Sequence, residues 1–283
     1  LPLAFPPYVF AFIYLGILDF AGPVQSGFRS VFGGSPAWIE ALSRPEAVLL
    51  ILILAFYPYV YLLARASFAS GGRAAFEAGR SLGIGPFATF FKVSLPMARP
   101  ALVAGMTLAL METLADFGAV SIFGFDTFTT AIYRTWFGLF NLSAAVQLAS
   151  ILMLFVLVLI IAERFNRGER AISGEKQPRM HRIQLRGVRA GLASAGQIGL
   201  VLIGVVVPLI QLLIWAWPQL PAVVDGPMLE VIGKTMTLGF VGSIAVVLGG
   251  ILLLAGTHKS SRRVMLIGEV SALGYAIPGT VLA

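Results

Sequence analysis

No cysteine occurs among the 283 residues, which excludes disulfides, thiolate metal sites and thiol chemistry. Histidine is almost as scarce: there are two, and His181 has no second His or Cys at ligand spacing, so no metal site is assigned to it. Charge is sparse as well, with Asp, Glu, Lys and Arg making up 12% of the chain against 58% hydrophobic residues. A soluble globule of this length needs far more polar surface than that, so the composition requires a bilayer. The chain opens on Leu1 inside an apolar run, without an initiator Met, a basic n-region or a cleavage site, and reads as a fragment.

What is present is a series of apolar runs near the ~20 residues that cross a hydrocarbon core, at roughly 1–18, 46–65, 97–117, 143–162, 190–217, 232–256 and 264–283. None shows the alternation of a strand. Backbone polar groups left unsatisfied in lipid are costly, so these runs must be helices, with Pro58 kinking one rather than ending it. The expected fold class is all-α, a polytopic transmembrane helical bundle of about seven spans.

Orientation follows from the basic residues. Sixteen of the 20 Lys and Arg fall in the connections 65–99, 164–189 and 258–263. The alternate connections hold only Arg29, Arg44, Arg134 and Lys234. The positive-inside rule places the first set in the cytoplasm, and every connection then alternates correctly. The net charge of +7 is accounted for by topology and anionic headgroups, and no nucleic-acid partner is expected.

One cytoplasmic loop stands out, FEAGRSLGIGPFATFFKVSLP at 76–96. Good helix formers from Arg73 end at Gly83, where a left-handed C-cap is wanted; Pro86 suits the first turn of a second short helix, expected to stop before Pro96. Phe76, Leu82, Phe87, Phe90 and Phe91 give the unit more apolar area than it can bury alone. Physics leaves two uses open: a groove on a partner, or the headgroup layer.

The spacing Glu77-Ala78-Gly79, three residues, Gly83, nine residues, Val93-Ser94-Leu95-Pro96 resembles the EAA loop (E-A-A-x3-G-x9-I-x-L-P) of binding-protein-dependent ABC importer permeases. Gly79 in place of the second Ala is a departure that allows close approach but costs about 1 kcal/mol of helix propensity. LPLAFPPYVFAF at the start, METLADFGAVSIFGFDTFTTAIYRTWF from Met111 and LGYAIPGTVLA at the end are similar to the ferric iron importer permeases, which fuse two permease halves in one polypeptide. Thiamine and phosphonate importers are near relatives. The resemblance implies a type I (MetI-like) permease in the inner membrane and a coupling loop of Glu77, Ala78, Gly79, Gly83, Leu95 and Pro96 seated on a cytoplasmic ABC ATPase dimer. It also implies cargo, iron(III) or another small solute, delivered by a periplasmic substrate-binding protein. No cofactor is expected in this chain, the ATP being bound by the ATPase.

An internal repeat supports two halves independently. Leu1–Ala11 set against Leu273–Ala283 is identical at five of eleven positions, with the same expected direction across the membrane. Residues 1–162 then read as the last four spans of one half with the coupling loop at 70–96, residues 163–189 as a basic cytoplasmic linker, and residues 190–283 as the first three spans of the next half. Gly191, Ala195 and Gly199, a small residue every four, suggest close helix packing. Gly233-Lys234-Thr235 imitates the end of a phosphate loop, but that pattern needs Gly where Met228 stands.

Carboxylates within the spans are the remaining place for chemistry. Glu112 and Asp116 are four apart, on one expected helix face, ~22 and ~28 Å from the cytoplasmic start at Met97. Oxygen ligands suit iron(III), so this face is a candidate lining for the outer mouth of the path. The same groups can instead cap the helix end or bond neighbouring helices. Glu269, early in the last span, is explained by snorkelling or by pairing with Arg262 or Arg263. A secondary transporter would need ion-coupled carboxylates near the midplane and no ATPase-docking loop. An intramembrane enzyme would need a His, Cys or paired-Asp constellation that is missing.

Overall fold

The computed structural model describes residues 2–70, 79, 81–167, 186–223 and 226–257. All regular structure among them is helical. Six helical stretches are long and apolar enough to cross a membrane: Pro7–Phe32, Pro45–Ala69, Pro86–Ala115, Leu142–Phe165, Val188–Gln219 and Met228–Leu253. The expected span at 264–283, with Glu269 and the second copy of the repeat, lies outside the described residues, as does the linker from 168 to 185.

The residues up to Pro208 form one compact unit. A 3-10 turn, Pro2–Ala4, leads through Pro6 into α1 (Pro7–Leu18). The short α2 (Pro23–Phe32) and α3 (Ala37–Ala41) follow, then α4 (Val48–Ser70), which runs through Pro58 as one helix. The second half of the 76–96 loop is α5 (Pro86–Thr89) and a π-turn (Phe90–Ser94), which lead into α6 (Leu95–Ala115). α7 (Gly118–Ile122), α8 (Phe128–Tyr133) with a π-turn to Gly138, and α9 (Leu142–Arg167) complete the better-packed part. α10 (Val188–Val201) and a π-turn (Leu202–Val206) carry the chain to Pro208, which lies near the start of α11 (Val207–Ala216).

Packing is concentrated where α1, α4 and α7 meet. Phe10 and Ala11 of α1, Val48, Ile51, Leu52, Ala55 and Phe56 of α4, and Ala119, Val120 and Phe123 in and just after α7 form the main core. A second cluster joins Ile132 of α8 to Ala145 and Leu152 of α9, with Leu114 of α6 and Trp136 against it. The short α8 runs on through its π-turn to Gly138. Its start is set by reciprocal bonds: the Thr127 amide donates to Thr130 Oγ1 at 2.8 Å, and the Thr127 side chain accepts from the Thr130 amide.

One expectation about Pro96 is overturned. The helix that begins at Pro86 does not stop before it but continues to Ala115. Proline in a helix interior removes a donor, and its ring clashes with the carbonyl four residues back. Here the Leu95 amide donates to the Phe90 carbonyl, five residues back, and the wider turn takes Pro96 in without a break. The same device recurs at Pro208, where the Val207 amide donates to Leu202 O.

The stripe of small residues is also not a packing seam among the described residues. A Cβ on Gly191 or Gly199 would meet open space. Close approach occurs instead at Gly105 of α6, against the α4 backbone, and at Gly118, against Tyr8.

The second unit runs from Leu209 and holds the rest of α11, a 3-10 turn (Trp217–Gln219), α12 (Leu220–Val223) and α13 (Gly226–Thr257). Gly233-Lys234-Thr235 lies inside α13, where Lys234 pairs with Glu230 one turn earlier at 2.5 Å, so it forms no phosphate-binding loop.

Candidate functional site

The coupling-loop candidate is built from local backbone chemistry. Gly79 and Ser81 are helical, and the helix ends in a reversal at Gly83, whose φ of 77° is the left-handed conformation that glycine adopts without penalty. The Ile84 amide donates to the Gly79 carbonyl at 3.1 Å, the six-to-one bond that closes a Schellman turn and satisfies an end carbonyl. Gly85 then caps α5, with Pro86 in its first turn, as expected from the sequence. Glu77 and Ala78 lie outside the described residues.

Two residues that sequence reasoning did not single out hold this turn together. Thr89 is wholly buried, and its hydroxyl donates to the Gly85 carbonyl at 3.0 Å, with the Ile84 carbonyl at 3.3 Å. Its methyl is turned onto Gly79, where an added Cβ would stand 2.6 Å from Thr89 Cγ2. The Gly79 departure from the Ala of the motif is therefore matched to Thr89; an unexplained glycine inside a helix was the available signal. Phe68, at the end of α4, is the second. Its ring stacks on Phe90 at 5.9 Å, and Phe91 meets Phe90 edge-on at 5.1 Å. Leu82, Phe87 and Phe91 remain exposed, at 78%, 80% and 61%. Leu95 is half-buried and Pro96 exposed, both just past the π-turn at the start of α6.

The two carboxylates of the α6 end separate in role. Glu112 is half-buried on α6 and lines a cavity of about 170 Å³ bounded by the segment Leu3–Pro7 and by Ala55, Phe56 and Tyr59. Asp116 is not on the helix. α6 ends at Ala115, and the Asp116 backbone is extended (ψ 128°), which breaks the expected common face. Asp116 Oδ1 accepts hydrogen bonds from the Ala119 and Val120 amides at 3.0 and 3.1 Å, and so caps the first turn of α7. Its backbone carbonyl accepts from Thr129 Oγ1 at 2.6 Å, which ties in α8. No group of three or more His, Cys, Asp or Glu residues able to hold a metal occurs among the described residues.

The family model for the binding-protein-dependent transport system inner membrane component matches residues 1–168. The Fe(3+)-transport system permease protein FbpB 2 of Haemophilus influenzae is 28% identical over 256 residues, covering 87% of this chain and 51% of its own length. The ferric transport system permease protein FbpB of Actinobacillus pleuropneumoniae is 27% identical over 182 residues, 62% of this chain and 26% of its own length. An sn-glycerol-3-phosphate transport system permease protein, UgpA of Shigella dysenteriae, is 26% identical over 174 residues, 58% of each. The chain thus spans about half or less of the length of the ferric permeases it matches. No solved structure matches it significantly. Six apolar helices and a family description that places its members in the inner membrane make this a multi-pass inner-membrane protein. The match over residues 1–168, which takes in the whole helix–turn–helix loop and the carboxylate end of α6, establishes that the chain belongs to the family of binding-protein-dependent transport system inner membrane components.

Proposed function

We propose that this chain is part of the membrane-spanning permease of an ATP-driven importer that moves iron(III), delivered by a periplasmic binding protein, into the cytoplasm. The observation that carries the reading is the loop at 76–96. A Schellman-closed turn with three large apolar side chains exposed beside it has the form of an element made to enter a groove. In this reading Glu77, Ala78, Gly79, Gly83, Leu95 and Pro96 make up the coupling loop, and a cytoplasmic ABC ATPase dimer supplies the groove and binds the ATP. Iron as cargo is supported by the names of the ferric permease relatives. The sn-glycerol-3-phosphate permeases among the relatives favour the alternative of another small solute in the same machinery.

Glu112 is the carboxylate proposed to face the path, since it borders a cavity; Asp116, engaged in caps, is proposed to hold the path's outer wall. The test is radioactive iron uptake by cells lacking their own ferric importer and supplied with the full-length permease, its ATPase and its binding protein. Iron uptake that depends on all three supports the reading. Uptake of glycerol phosphate but not iron moves the cargo to the alternative.

A further inference from the structure

We propose that the Thr89 methyl seated on Gly79 is the joint that makes the loop and the α5–α6 helix one rigid piece, and that Thr89 is a positioning residue for coupling. The inference rests on the coupling-loop reading and adds to it the contact through which the loop's first helix drives the membrane span. Three observations carry it. Thr89 is fully buried although it sits on a four-residue helix whose Phe87 is exposed. Gly79 is buried against it at a distance that admits no side chain, the nearest atoms to an added Cβ being Thr89 Cγ2 at 2.6 Å, Oγ1 at 3.0 Å and Cβ at 3.3 Å. The helix that contains Thr89 runs unbroken to Ala115, because the π-turn at Phe90–Ser94 takes in Pro96 without interruption.

A push on the helix that ends at Gly83 therefore has a direct steric path. It passes from the Gly79 backbone to the Thr89 methyl, and then along one helix to Glu112, roughly 35 Å away at 1.5 Å per residue. The Thr89 hydroxyl has a separate task, bonding the Gly85 and Ile84 carbonyls. The methyl and the hydroxyl can therefore be tested apart. Thr89→Ser keeps the hydroxyl and removes the methyl that fills the joint. Gly79→Ala adds a methyl where one is already present. In the double variant the methyl changes sides: the new Cβ takes the space of the lost Cγ2, and the remaining hydroxyl at 3.0 Å and Cβ at 3.3 Å need to give by only a few tenths of an ångström.

The experiment uses the full-length permease assembled with its ATPase and binding protein in proteoliposomes. It measures iron moved per ATP hydrolysed, ATPase retained on the permease, and permease level. Thr89→Ser and Gly79→Ala are each expected to lower iron per ATP by about tenfold with ATPase retention and level unchanged, and the double variant to recover to within about twofold. Glu77→Lys serves as the control for the loop itself, and is expected to lose the ATPase. If both single variants keep the ratio of the unaltered protein while Glu77→Lys loses the ATPase, the joint is wrong and the coupling loop stands. If the single variants uncouple but the double variant does not recover, the steric seat is likewise refuted. If the single variants lose level or ATPase instead of coupling, Thr89 is only structural. If Glu77→Lys keeps both ATPase and uptake, the loop reading fails and the joint with it.

Discussion

Gly105 of α6 lies so close to Val60 of α4 that a Cβ on the glycine would stand 2.7 Å from the Val60 Cα and 3.2 Å from the Tyr59 carbonyl. The obstacle is backbone on both counts, so no rotamer change can relieve it. Gly105→Ala must part the two helices, and overpacking of this kind costs roughly 1–3 kcal/mol. A lower unfolding temperature in detergent is expected for Gly105→Ala. Gly191→Ala, where an added Cβ meets open space, is expected to leave it unchanged or raise it slightly through helix propensity.

Asp116 is expected to behave as a cap. Its Oδ1 accepts from two α7 amides, a task that the Asn carbonyl oxygen also performs. Asp116→Asn should therefore keep stability near that of the unaltered protein, while Asp116→Ala loses about 1 kcal/mol, the usual cost of removing a cap. Thermal unfolding of the two variants side by side checks this, and equal losses in both would remove the capping role.

What could be read from the chain was what depends on neighbours in sequence. The Gly83 reversal and the Pro86 start follow from residue types acting over one turn, and both are found. The spans were legible because a run of apolar residues needs no partner to be recognised. Contacts between elements were not legible. Gly105 is one of many glycines in apolar sequence, and nothing near it says that the Val60 backbone lies opposite, whereas the regular spacing of Gly191, Ala195 and Gly199 pointed to a seam where Gly191 and Gly199 have no near neighbour. Pro96 misled for a third reason: the rule that proline ends a helix assumes four-residue bonding, and the Leu95 amide bonds five residues back. The carboxylate pair was misread by a single residue. With the α6 end at Ala115 rather than beyond Asp116, two groups expected on one face took separate tasks.

Topology can be tested with single cysteines, since these 283 residues contribute none of their own. Asp126 is exposed beside α8, and its carboxylate pairs with Arg134 at 2.8 Å across two solvated side chains. Asp126→Cys should be labelled by an impermeant maleimide in cells whose inner membrane is intact. Arg179→Cys, in the basic linker, should be labelled only after that membrane is opened. The charge bias that sets this orientation is strong, and the reverse pattern would invert every connection, placing the 76–96 loop away from any cytoplasmic ATPase.

Glu112 carries the sharpest functional expectation. It lies on the same helix as the second half of the proposed coupling loop and borders a cavity whose other walls, from Leu3–Pro7, Ala55, Phe56 and Tyr59, are mostly apolar. A carboxylate in such surroundings costs a few kcal/mol to hold within a span, which argues for a use beyond packing. In the proposed importer, which must release its cargo, one carboxylate bordering a cavity suits a passing multivalent cation better than a closed cage of oxygen ligands. Glu112→Gln preserves shape and hydrogen bonding while removing the charge. It is expected to lower iron uptake at least about tenfold in the full-length permease, with protein level and ATPase association unchanged. Asp116→Asn, which preserves the cap, is expected to leave uptake within about twofold. Equal loss of uptake in both variants would restore the pair as a common lining. Unchanged uptake in Glu112→Gln would move the path away from this end of α6.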